Sequence, residues 1–65
     1  METFSYIIVD ENNVWRSFSS HATEETLQAD LKDVNRVIKE EGYKAGEVEL
    51  FVYITVGQPR TFQNE

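Results

Sequence analysis

Val48, Leu50, Val52, Ile54 and Val56 alternate with Glu47, Glu49, Phe51, Tyr53 and Thr55. A period of two sustained over about ten residues marks a β-strand with two distinct faces. One face is aliphatic throughout. The other carries Phe51 and Tyr53, which are too apolar to be ordinary solvent-facing residues. Such a strand must be covered on one side and has a reason to be covered on the other.

The chain offers a single helix for that cover. Leu27, Leu31, Val34 and Ile38 fall on one stripe of an amphipathic helix, and Val37 widens it. Thr23 is the expected N-cap, since its hydroxyl can accept a bond from a free first-turn amide. Glu24 and Glu25 then sit where the helix dipole favours negative charge. Ala22 and Leu27 occupy the positions of a hydrophobic staple. Gly42 can supply the left-handed residue that stops the helix. The helix is predicted over residues 24–41.

Phe4–Val9 and Val14–Ser19 read as the strands of a hairpin. Asp10-Glu11-Asn12-Asn13 forms its turn, because Asp and Asn bond their own backbone and tolerate positive φ. Glu47–Val56 is the third strand, ended by Gly57-Gln58-Pro59. The expected fold is α+β: a single small β-β-α-β domain over residues 1–57, with a three-stranded sheet and one helix packed on one face. Residues 58–65 are a polar tail with Phe62 as its anchor. The crossover through the helix makes strands two and three parallel. Strand one lies between them or at the edge.

Side-chain alternation then sorts the hairpin. An even-length loop places Ile7, Val9, Val14 and Phe18 together, and this set is assigned to the helix side. Phe4, Tyr6, Ile8 and Trp15 then join Phe51 and Tyr53 on the open side, as a candidate partner-binding face. Fully burying side chains of this kind is worth about 1.5–3 kcal/mol each. Leaving them wet is a heavy loss for a chain of 65 residues, which buries only roughly 60% of its unfolded surface.

Charge supplies a second candidate surface. Twelve acidic residues against six basic ones give a net charge of −6. Direct binding to nucleic-acid phosphates, which runs on clustered Lys and Arg, is not expected. Basic protein partners are favoured instead. The topology gathers Asp10, Glu11, Glu40, Glu41, Glu47 and Glu49 at one end, an acidic pole able to imitate phosphates.

Catalytic patterns are missing. With no cysteine and only His21, disulfides, cysteine-based zinc sites and histidine-rich metal sites are excluded within one chain. The Asp10–Asn13 turn lacks the remainder of a calcium loop, so no metal or other cofactor is expected. Gly42, Gly46 and Gly57 match no phosphate-loop spacing. Ser19-Ser20-His21 are neighbours in sequence, which does not make a triad. No apolar run is long enough to span a bilayer, and Met1-Glu2-Thr3-Phe4 lacks the features of a signal peptide. A cytoplasmic location without membrane contact is expected. The sequence therefore predicts a small acidic non-enzymatic interaction module that self-associates as a homodimer through the aromatic sheet face or a strand edge. The alternative is an inhibitor or adaptor of the phage or mobile-element type, docking on a nucleic-acid-handling protein through its acidic pole.

Overall fold

The computed structural model describes residues 3–65, without the side chains of residues 18–20. Expectations for Met1 and Glu2, and for the side chains of Phe18, Ser19 and Ser20, lie outside the described residues. The elements run β1 (Phe4–Val9), β2 (Val14–Ala22), α1 (Glu24–Glu40), β3 (Glu49–Ile54) and β4 (Arg60–Gln63). The fold is α+β, with one helix and an antiparallel sheet.

The helix forms where its stripe and caps predict. Thr23 is extended and its hydroxyl accepts from the Thr26 amide. At the other end, the Gly42 amide donates to the Lys39 carbonyl at 3.0 Å, and the Tyr43 amide donates to Ile38 at 3.4 Å. That pair of bonds is a Schellman closure, and it needs a left-handed residue; Gly42 supplies it with φ +98. Leu27, Leu31, Val34 and Ile38 are all buried.

The sheet order is β2-β1-β3-β4. β1 therefore lies between β2 and β3, which resolves the open choice of strand order. Among the described residues the expected three strands are four, because the stretch read as a polar tail forms β4. Gly57, at φ +89, lies in the turn that brings the chain back, and Arg60–Gln63 pairs antiparallel with β3. Phe62 stands opposite Leu50 and packs against the core. This return also shortens β3, which ends at Ile54 rather than Val56; Val56 is exposed.

The core consists of Tyr6, Ile8, Ala22, Leu50 and Val52 from the sheet beneath Leu27, Leu31, Val34 and Ile38. This reverses the expected faces of β1. Tyr6 pairs with Ile54, and Ile8 with Val52. Cross-strand partners share a face, so the aliphatic side of β3 carries Tyr6 and Ile8 under the helix. Ile7 and Val9 go to the open side. β2 follows a third rule, because its register against β1 breaks twice. Val9 pairs with Val14 but Ile8 pairs with Arg16, leaving Trp15 as an extra residue; a second break lies between Phe4 and Tyr6. His21, at φ +47, sits in that second bulge.

Two polar groups are taken into this interior with their partners. Tyr6 is 3% exposed, and its hydroxyl donates to the Asp30 carboxylate on the helix. Burial, and then the Asp30 bond and charge, push the Tyr6 phenol well above its ordinary range. Arg16, opposite Ile8 at the sheet edge, reaches Asp33 at 3.2 Å and Asp30 at 3.9 Å. Asn64 is also 3% exposed. Its side chain accepts from the Val48 amide at 2.8 Å and donates to the Lys44 carbonyl at 3.0 Å. Its backbone donates to Val48 and accepts from Gly46. One residue thus fixes the whole connection from the helix to β3.

Asn64→Ala strands the Val48 amide and the Lys44 carbonyl, each costing roughly 1–3 kcal/mol when buried. The expected fall in Tm is at least about 8 °C, with faster deuterium exchange at Val48; an unchanged melt contradicts the clamp. Tyr6→Phe removes a hydrogen bond to a charged group, worth about 1.5–3 kcal/mol. Because the folded phenol titrates above its ordinary value of 10, that advantage is complete below pH 10 and declines as pH rises toward the folded value. Urea melts of both proteins across the alkaline range should show the gap closing, and a pH-independent gap would remove Tyr6 ionisation from the account.

Candidate functional site

The structure divides the predicted aromatic face. Tyr6 and Ile8 are core residues, while Phe4 and Trp15 are partly buried and packed against the core. Phe4 lies beside Tyr6, with ring centroids 6.0 Å apart. Only Phe51 and Tyr53 of the six belong to the open side. Their partners there are Val9 and Ile7.

The open side nevertheless exists, with different members. Ile7, Val9 and Phe51 are incompletely covered, while Tyr53 is 50% and Val14 64% exposed. Register places Ser17 beside Ile7, and Thr61 beside Phe51. Ser5 and Thr55 complete the surface by alternation; the Thr55 amide donates to the Ser5 carbonyl at 3.0 Å. Glu49 pairs with Gln63 at one end and is the charged residue among the described strand residues of this face. A nearly neutral sheet surface thus sits on a chain of net charge −6. Ile7, Val9 and Val14 were assigned to the wrong side from sequence because Ile7-Ile8-Val9 is apolar on both faces. Only the distant partner strand decides between them.

At the end of the sheet marked by Glu49, the hairpin tip, the loop after the helix and the start of β3 enclose a groove of about 350 Å³. Asp10, Glu11, Glu47 and Glu49 line it, together with Trp15, Tyr43 and Phe51. Four of the six residues of the predicted acidic pole are therefore brought together. Glu40 and Glu41 do not line the groove. Glu40 turns back along the helix to Arg36 at 3.1 Å, and Glu41 is the C-cap residue. Tyr43, missed from sequence, is 47% exposed; its signal was its place immediately after the helix-stopping Gly42.

The acids of the groove differ in their roles. Asp10 holds the tip together. One carboxylate oxygen accepts from the amides of Asn12 at 2.7 Å and Asn13 at 2.6 Å. The other accepts from the Trp15 indole at 2.9 Å. Burial alone would raise its pKa, but the bonds from Asn12, Trp15 and Asn13 prevail and hold it below the usual carboxylate value. Glu47 accepts from the Lys44 amide and closes its own turn. The side-chain carboxylates of Glu11 and Glu49 make no hydrogen bond or ion pair among the described residues. The ion pairs of Arg16, Arg36 and Arg60 run to Asp30, Asp33, Glu40 and Glu24, away from the groove.

Among the described residues, no group of three or more His, Cys, Asp or Glu side chains is arranged to hold a metal ion. No helix of the described residues is long and apolar enough to cross a membrane. Comparison with protein-family models, curated proteins and solved structures finds no match in any of the three.

The Asp10 arrangement carries a pH dependence. A depressed folded pKa contributes stability that is present above the unfolded value and lost as pH falls through the folded one. Acid titration of Trp15 fluorescence should show a transition beginning below about pH 4. Asp10→Asn keeps the shape but faces the indole with a donor or leaves the backbone amides short of an acceptor. It should cost about 1 kcal/mol, with the exposed site discounted for solvent, and abolish the transition. Persistence of the transition in that variant would assign it to another group.

Proposed function

We propose that this protein is a small non-enzymatic interaction module that forms a homodimer by packing the open faces of two sheets together. The observation that carries the reading is the near-neutrality of the face formed by Ile7, Val9, Val14, Phe51 and Tyr53 on an otherwise acidic chain. A second copy can meet this face without setting like charges against each other. A two-fold pairing also brings each apolar residue against an equivalent surface. α1 covers the other side of the sheet, and among the described residues no helix or further strand is left to cover the open face.

Two features support the reading. Tyr53 presents an amphipathic ring at the middle of the face, and tyrosine is enriched among residues that dominate binding energy. Thr55, Thr61, Ser17 and Gln63 provide an uncharged polar border, as expected of an interface rim.

Sedimentation equilibrium over a wide concentration range tests the proposal. The expected result is a dimer at micromolar concentration, tightened by added salt because the net charges of the two copies repel and salt screens that repulsion. The double variant Val14→Lys, Tyr53→Lys changes two positions that are at least half exposed, so its circular dichroism should be unchanged. Its dimer should dissociate at least about tenfold more readily, or about 1.4 kcal/mol. A wild-type protein that stays monomeric up to roughly millimolar concentration, where association is worth only about 4 kcal/mol, overturns the proposal. So does a dimer indifferent to the two lysines.

A further inference from the structure

The groove at the acidic end combines three properties that neutral loop packing does not require. It is concave, with a volume of about 350 Å³, near the lower end of roughly 300–1,000 Å³ typical of ligand sites. Three aromatic residues, Trp15, Tyr43 and Phe51, contribute to its lining. Glu11 and Glu49, both exposed, belong to the same lining and have no countercharge among the described residues. Rings attract cations through their negative faces, and carboxylates do so through charge and hydrogen bonds. A ligand with a flat, cationic, hydrogen-bonding head on an apolar stem satisfies both kinds of wall.

We infer that the groove is a docking site for an arginine side chain presented by a basic segment of another protein. Arginine fits better than lysine because its guanidinium stacks on aromatic faces and bonds carboxylates with two parallel donors. Asp10 contributes negative potential while its oxygens hold the hairpin tip and the Trp15 indole. Glu11 and Glu49 supply the acceptors for the incoming head, and Tyr43 flanks its stem. Charge complementarity selects the partner. The groove belongs to a chain of net charge −6, and the arginines of this chain are paired on the helix side. The inference does not rest on self-association, because Asp10, Glu11, Trp15 and Tyr43 lie outside the open sheet face; Phe51 and Glu49 are shared.

The test is a titration of ¹⁵N-labelled protein with a capped Gly-Arg-Gly-Arg-Gly peptide, followed by amide and indole shifts. Saturable shifts are expected at the Trp15 indole N–H and at Glu11, Tyr43 and Glu49. Glu11→Gln with Glu49→Gln should weaken binding at least about tenfold, equivalent to about 1.4 kcal/mol. Tyr43→Ala, which leaves the charge unchanged, should weaken it by about threefold, as expected for an exposed cation–π contact. The lysine version of the peptide should bind more weakly. All altered side chains are exposed, and circular dichroism confirms that each variant folds. Shifts scattered over every acidic surface, or binding indifferent to Tyr43, overturn the inference in favour of diffuse electrostatics. Equal shifts with magnesium or calcium chloride overturn it in favour of a simple cation site. Failure of the dimer experiment leaves these outcomes readable, since the titration can be run on a monomer.

Discussion

The register of β1 against β3 determines the inside and the outside of this protein. β1 is hydrogen-bonded on both sides, and its residues alternate across a sheet that has a helix on one face only. With Tyr6 opposite Ile54 and Ile8 opposite Val52, the phenol lies under the helix and Asp30 is there to receive its hydroxyl. A slip of one residue would place Ser5, Ile7 and Val9 inside. Asp30 would then lose its buried donor, and the open face would carry Tyr6 and Ile8. Ile8 in one register and Ile7 with Val9 in the other offer similar aliphatic cover, so the Tyr6–Asp30 bond and the packing of Phe4 in place of Ser5 distinguish the two.

That near-equality explains what could be read from the chain. The helix was legible from end to end because its information is local: a stripe, a capping threonine and a glycine that accepts positive φ. β1 was legible as a strand, but its orientation was not, since Ile7-Ile8-Val9 presents apolar groups to both sides. β4 was hidden for a different reason. Arg60-Thr61-Phe62-Gln63 has one large apolar side chain, and its strand conformation comes from pairing with β3 and from the anchoring of Asn64. The acidic pole followed from topology for Asp10, Glu11, Glu47 and Glu49. Glu40 and Glu41 stand at the helix C-terminus without lining the groove, one paired with Arg36 and the other the C-cap residue.

The charges are also divided by location. Arg16, Arg36 and Arg60 are all engaged with carboxylates of the helix; Arg16 and Arg60 reach it from the sheet, and Arg36 pairs within it. Exposed pairs of this kind add little stability individually, yet their placement decides the electrostatics of the remainder. It leaves the sheet face nearly neutral and the hairpin end strongly negative. Two surfaces with different chemical preferences arise in this way from one small fold.

β4 has a consequence for solubility. Glu49–Ile54 is a short, alternating, aromatic and β-branched stretch, the composition from which stacked amyloid ladders are built. As an edge strand it would offer a row of unsatisfied amides and carbonyls to any passing chain. With β4 in place, both of its sides are hydrogen-bonded within the molecule. The sheet ends instead in a four-residue strand on one side and in β2, twice bulged, on the other. Neither border offers a long regular template for templated growth into fibrils.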